Sequence, residues 1–230
     1  MNVHVLSGGA AQGLVGRMEP ALRQAEGVGI EGTFGAVGAM KEKFASGAPC
    51  DLIILTEALL RELARDGRVI PETCAPLGRV ATGVAVLNGA PPPDLSGAAG
   101  LRRALTQASG LYFPDPERAT AGIHFMKVLR SLGLDAELGP RLRPFPNGGT
   151  AMREMAKAAD PQALGCTQVT EIVITPGVTL AGPLPKEFEL VTGYAVGVSA
   201  RAAQPEVARR FARMLAGPDG AAARAACGFQ

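Results

Sequence analysis

The stretch Thr33–Glu57, TFGAVGAMKEKFASGAPCDLIILTE, decides how the fold is read. It passes from a tight glycine turn at Gly35 and Gly38 through one short helix and a Gly-Ala-Pro-Cys-Asp corner into an apolar strand. Val37, Met40 and Phe44 recur at helical spacing, and Lys41, Glu42 and Lys43 are left to water. Gly47 and Pro49 end the helix, and Leu52-Ile53-Ile54-Leu55 has the length and content of a buried strand. Thr56, where the strand stops, can cap the next helix. The first N–H groups of a helix have no internal partners, so a glycine-lined helix start is a latent anion site. For this segment alone, the simpler reading is a loop–helix–strand unit whose glycines only make a turn. Repetition favours the other reading. The chain has four such uncharged starts, at Ser7-Gly8-Gly9, Gly35–Gly38, Thr120-Ala121-Gly122 and Asn147-Gly148-Gly149-Thr150.

Working outward, short β-rich runs alternate with amphipathic helices. Val3–Leu6, Val28–Phe34, Leu52–Leu55, Gly110–Phe113 and Ala163–Thr167 read as strands. Helices are expected with Leu14, Met18 and Leu22 inward, then Leu59, Leu60 and Leu63, then Phe125, Val128, Leu129 and Leu132. Two more follow with Met152, Met155, Ala156 and Ala159, and with Val207, Phe211 and Leu215. Such alternation calls for an α/β fold with mainly parallel sheets flanked by helices. Two longer runs, RVATGVAVL (Arg79–Leu87) and LVTGYAVGVS (Leu190–Ser199), divide the chain. The expectation is a two-lobed molecule. Lobe 1 is 1–80 completed by 200–230, lobe 2 is 84–190, and 80–88 with 190–199 are hinge and crossover segments. Ligands in such folds sit at the carboxyl ends of strands, where helices begin. Ser7, Gly38, Thr120 and Gln168 all fall there.

Composition narrows the function. The net charge is +2 with no basic run, which excludes the clustered cations that nucleic-acid binding needs. No apolar run approaches the roughly 20 residues of a membrane span, so no membrane insertion is expected. Four dispersed cysteines without a CxxC pair and only two histidines offer no zinc site, and no metal or other cofactor is implied. The first strand begins almost at Met1, without a charged region leading into an apolar one. Two locations follow from that: periplasmic if a signal was removed, otherwise cytoplasmic.

Three pieces, GAPCDLIIL, PDPERATAGIHFMKVLRSLGL and the Ala-Leu-Gly strand at Ala163–Gly165, resemble the periplasmic molybdate-binding proteins, and the likeness covers nearly the whole chain in order. These are type II periplasmic binding proteins that feed an ABC transporter. The resemblance implies a two-lobed fold that closes over a small anion held without positive charge, by hydroxyls, helix-start N–H groups and a tyrosine. Carried over by position, the first serine matches Ser7, the second falls on Gly38, the helix-start alanine on Ala121, the next helix start on Ala151 and the tyrosine on Gln168. Two side-chain donors have changed, serine to glycine and tyrosine to glutamine, which leaves anion binding in place and alters the cage that selects molybdate. GCTQVTEI (Gly165–Ile172) and PGVTLAGPLP (Pro176–Pro185) resemble a side branch that includes the aconitate isomerases, which implies an organic carboxylate.

The ligand-binding set is therefore Ser7, Gly8, Gly9, Gly38, Thr120, Ala121, Gly122, Thr150, Ala151 and Gln168. Each has a plainer reading. Ser7, Thr120 and Thr150 can be helix caps, and Gly38 and Gly122 can serve backbone geometry alone. The expected function is a monomeric solute-binding protein for a small oxyanion or carboxylate, partnered by the membrane component of an ABC transporter. The rival is an isomerase on the same scaffold that moves a double bond in a tricarboxylate. His124 and Glu171 are then the catalytic candidates, against an exposed histidine and a helix-start acid favoured by the dipole. Arg118 is a candidate partner for a distal carboxylate or a surface charge.

Overall fold

The computed structural model describes residues 2–230. In chain order the elements are β1 (Asn2–Gly8), α1 (Gln12–Glu26), β2 (Gly29–Gly35), α2 (Val37–Ala45), β3 (Leu52–Thr56), α3 (Glu57–Arg65) and β4 (Ala75–Leu87). There follow α4 (Ala98–Gln107), β5 (Leu111–Pro114), α5 (Thr120–Ser131), α6 (Asp135–Leu138), β6 (Leu142–Phe145), α7 (Gly148–Ala158) and β7 (Leu164–Gln168). The chain ends with α8 (Val169–Val173), β8 (Val178–Pro183), β9 (Val191–Val198), α9 (Pro205–Ala216) and α10 (Ala221–Ala226). Two compact units result. One combines Met1–Val80 with Thr192–Gln230, and the other is Ala81–Val191.

In the first unit the strands lie in the order β2-β1-β3-β9. The first three are parallel and β9 runs antiparallel to β3, pairing Leu52 with Val198 and Thr56 with Tyr194. β3 is buried at every position from Leu52 to Leu55, as a continuous aliphatic run in a helix-covered sheet must be. Leu22, Phe44, Leu60, Leu63, Phe211 and Leu215, on the apolar stripes of α1, α2, α3 and α9, are likewise buried. Asp51 is buried just before β3. Its Oδ2 accepts from the His4 N–H at 2.8 Å and its Oδ1 from the Gln204 N–H at 2.9 Å, so one carboxylate joins the first strand to the approach of α9. Thr56 caps α3 by accepting from the Leu59 N–H at 3.4 Å.

In the second unit the order is β8-β4-β7-β5-β6, with β5 parallel to β6 and β7, and β4 antiparallel to β7 and β8. Successive strand residues point to opposite faces, so each strand feeds two cores. Val84 and Val86 of β4, with Leu164 and Cys166 of β7, join Leu101, Leu105, Phe125 and Leu129 of α4 and α5. Ala85 joins Met152 and Met155 of α7 and Ile172 of α8 on the other face. Phe113 and Phe125 meet edge to face, with ring centroids 5.2 Å apart. Each fully buried ring of this size contributes about 2–3 kcal/mol through burial alone.

Several particulars depart from the sequence reading. β6, Leu-Arg-Pro-Phe, escapes notice because Pro144 argues against a strand; it is tolerated because β6 is the edge of its sheet. β8 lies within Pro176–Pro185, where the sequence carries no strand expectation of its own. Leu59 and Leu132 are half-buried rather than inward, and Ala159 is an exposed left-handed residue with φ 51° that ends α7. No helix among the described residues is long and apolar enough to cross a membrane.

Candidate functional site

The helix starts divide into open and closed ones. α5 begins after the carboxyl end of β5, and its N-cap is Ala119, which has no side chain to offer. Thr120 is thus the first residue inside the helix and not its cap. The first bonds across this start run from the Ala119 N–H to the Asp115 carbonyl and from the Ile123 N–H to the Ala119 carbonyl. Between them the N–H groups of Thr120, Ala121 and Gly122 have no partner among the described residues. Ala121 and Gly122 are buried. A Cβ on Gly122 would stand 2.2 Å from the carbonyl oxygens of both Pro114 and Asp115, so only glycine lets this turn close. In the first unit α2 has the same form. Ala36 is a capless N-cap, the first bond comes from the Met40 N–H, and Val37, Gly38 and Ala39 leave their N–H groups free among the described residues.

α7 is closed. Asn147 caps it, its Oδ1 accepting from the Thr150 N–H at 2.8 Å, and the Ala151 N–H bonds the Asn147 carbonyl. Thr150 is therefore inside the helix, and its hydroxyl accepts from the Arg153 guanidinium at 2.9 Å. The Gly149 N–H donates to Glu171 Oε1 at 3.2 Å, and the Thr167 hydroxyl donates to Glu171 Oε2 at 2.6 Å. Glu171 is 4% exposed. The chain's own carboxyl group thus occupies the position where the Gly148-Gly149 turn could have held an external anion. Burial pushes the Glu171 pKa above the ordinary 4.5, only partly opposed by the Thr167 hydroxyl and the N–H groups of Gly149, Gly148 and Gln168. A Cβ on Gly148 would lie 2.0 Å from Thr167 Oγ1 and 2.1 Å from Glu171 Oε2, which explains the glycine there.

Gln168 ends β7 and stands at the N-cap of α8 without capping it. It is 3% exposed, and neither Oε1 nor Nε2 has a partner among the described residues. Leaving such a group unpaired costs about 1–3 kcal/mol, so a ligand that pairs it recovers that amount. Alternation along β7 puts Gln168 on the face of Leu164 and Cys166, the face that α5 covers. Thr82 of β4 is its direct cross-strand partner and shares the parity of Val84 and Val86. Its hydroxyl, buried to 1% exposure, is likewise unpartnered, as is that of Thr170. Sequence reasoning missed both threonines. The signal for Thr82 was a hydroxyl inside the otherwise apolar run RVATGVAVL.

The remaining candidates fall as follows. Ser7 is wholly buried at the end of β1 and donates its hydroxyl to the Gly8 carbonyl at 2.8 Å, leaving its lone pairs. Gly8 closes on Val37, whose Cγ1 would lie 2.7 Å from an added Cβ, and Gly9 opens a short 3-10 turn. His124 is half-buried rather than exposed, and its Nε2 lies 2.7 Å from the Phe188 carbonyl, which can only accept, so Nε2 carries the proton. Arg118 has its N–H on Asp115 Oδ1 at 2.9 Å. No group of three or more metal-ligating side chains occurs among the described residues. A surface hollow of about 580 Å³ beside α3, Cys74 and Pro76 contains none of these residues.

Uncharged helix starts at strand ends in a two-unit α/β chain are the features that the comparison with known proteins takes up. This chain belongs to the bacterial extracellular solute-binding protein family, whose profile matches residues 3–230. Among solved structures it is similar to the periplasmic molybdate-binding protein of Azotobacter vinelandii, with a TM-score of 0.81 at 18% identity over 100% of this chain and 99% of that one. It also resembles the sulfate-binding protein of Mycobacterium tuberculosis, with a TM-score of 0.74 at 15% identity over 100% of this chain and 86% of that one. These likenesses establish the type II periplasmic binding protein fold. Among curated sequences it is 26% identical over 228 residues to an aconitate isomerase of Pseudomonas sp, covering 95% of this chain and 84% of the relative.

Proposed function

We propose that this solute-binding protein captures a small carboxylate-bearing anion and delivers it, outside the cytoplasmic membrane, to an ABC transporter. One observation carries the reading. The second unit presents three unpartnered N–H groups at the start of α5 and the buried, unpartnered Gln168 on the same sheet face. Partial positive charge at a helix start suits an anion, and an orphaned buried amide suits a partner that arrives from outside. In the first unit Ser7 and Gly8 at the end of β1, Gly9 in the turn that follows and Gly38 at the α2 start have the corresponding task. Thr150 and Ala151 drop to a supporting position in this proposal, because their N–H groups are spent on Asn147. Affinity resting on neutral donors should depend weakly on salt compared with a lysine-lined site.

The test is a thermal-shift panel of molybdate, tungstate, sulfate, citrate and the two aconitates, since a ligand that binds only the folded state raises its melting temperature. A shift with a carboxylate is expected, and Ser7→Ala and Gln168→Ala should each weaken that binding by about 1–3 kcal/mol. A shift with molybdate or tungstate alone refutes the carboxylate assignment.

A second reading, an allylic isomerase acting on a tricarboxylate, is favoured by the similarity to an aconitate isomerase and by Glu171, a buried acid whose raised pKa lets it keep a proton. Such a reaction needs a group that takes and returns a proton. Here Glu171 is bonded through both oxygens and His124 through Nε2, so each would need its partner displaced. Incubating the protein with cis-aconitate and following the vinyl proton signal by NMR decides the matter.

A further inference from the structure

The carboxylate reading leaves a question that the unpaired atoms answer. A glutamine amide is two-sided: Nε2 donates twice and Oε1 accepts. In Gln168 both atoms are buried and both are unpartnered, so the conclusion is the same whichever way the amide is turned. Of the hydroxyls close by in the strand pairing and sequence, that of Thr167 donates to Glu171, and those of Thr82 directly opposite and Thr170 two residues on are unpartnered, so none of them donates to Oε1. An anion built only of acceptors, such as sulfate, molybdate or an unsubstituted carboxylate, could satisfy Nε2 and the α5 N–H groups. Such an anion would leave Oε1 buried against a second acceptor.

We infer that the ligand carries a hydroxyl donor beside its anionic end, that it is a hydroxy acid, and that Gln168 with Thr82 reads the hydroxyl. The carboxyl end is held by the N–H groups of Thr120, Ala121 and Gly122, and the hydroxyl donates to Gln168 Oε1 and accepts from Nε2 or from Thr82. This rests on the anion-capture reading above and adds the chemical group that selects among carboxylates. A site built to bond a hydroxyl discriminates against the analogue without it, because its own buried polar groups are then left unpaired.

The experiment is isothermal titration calorimetry of the full chain with two matched pairs that differ by one hydroxyl, citrate against tricarballylate and malate against succinate. For at least one pair the hydroxy acid should bind tighter by about tenfold or more. Gln168→Met, which keeps the volume and removes both polar atoms, should bring that ratio to within about twofold, the hydroxy acid losing more affinity than its partner without the hydroxyl. A melting curve of the variant confirms that it is folded. Equal affinity within each pair overturns the hydroxyl assignment and leaves anion capture standing. An unchanged ratio in Gln168→Met overturns the role of that residue. Binding of neither pair overturns the carboxylate reading and this inference with it.

Discussion

Removing the Glu171 carboxyl tests the account of the α7 start most directly. In Glu171→Ala the Thr167 hydroxyl and the Gly149 N–H lose an acceptor at 2.6 and 3.2 Å, and the N–H groups of Gly148 and Gln168 lose the carboxyl group they face. Each buried donor left unpaired costs about 1–3 kcal/mol. Water entering the space of the lost side chain returns part of this, giving a net loss of about 2–4 kcal/mol. The loss should depend on pH. The folded-state pKa is raised, so the folded chain holds the proton more tightly than the unfolded chain does. That stabilisation is fully present below the ordinary value of 4.5 and is lost as pH rises through the elevated folded value. Alanine should therefore cost most at low pH and progressively less above it. Glu171→Gln, neutral throughout, should flatten the wild-type slope and gain on the wild type as pH rises. Urea unfolding monitored by circular dichroism at several pH values measures all three proteins. A cost for alanine below about 1 kcal/mol at low pH, or a slope that survives in Glu171→Gln, refutes the reasoning.

Three further outcomes are expected. Gly122→Ala would press a methyl group against the carbonyls of Pro114 and Asp115, which are backbone and cannot swing away, so stability should fall by about 1–3 kcal/mol in urea melts and ligand affinity should fall with it. Asp51→Ala should destabilise by about 2–4 kcal/mol by orphaning the His4 and Gln204 N–H groups, and Asp51→Asn, which retains one acceptor, should cost less. Of the four cysteines only Cys74 is exposed, and burial pushes the Cys50 thiol up to about 12, so a native thiol titration near pH 8 should show one modified residue and a denatured one all four.

How much of this was legible in the sequence depends on range. The helix over Val37–Phe44, the strand at Leu52–Leu55 and the cap at Thr56 are local patterns, and each is set by residues within one turn or one strand. The α5 start was legible for the same reason, since Thr120-Ala121-Gly122 exposes its N–H groups by its own composition. The α7 start looked identical. What separates the two is Glu171, 22 residues beyond Gly149, brought back by the β7–α8 corner so that a carboxyl group from another element fills the helix end. No local pattern contains that. His124 was misjudged similarly: its place on the polar side of α5 predicted exposure, but Phe188, distant in sequence, receives its Nε2–H. Thr82 was hidden for a different reason, because one threonine in a β-rich run is ordinary until its strand partner proves to be an unpaired glutamine.

The division of the chain has a consequence for its biosynthesis. Residues Ala81–Val191 form one compact unit from an unbroken length of chain, whereas the other unit needs Thr192–Gln230 to supply β9 and α9. As the polypeptide leaves the ribosome, the inserted unit has all its strands before the first-made segment has its fourth. β1, β2 and β3 must therefore wait, with the aliphatic edge Leu52–Leu55 lacking β9, for the time taken to synthesise more than a hundred residues, on the order of ten seconds at common elongation rates. That exposed edge is where a nascent-chain chaperone would be needed most. A stop codon late in the message would leave the inserted unit whole and this edge permanently open.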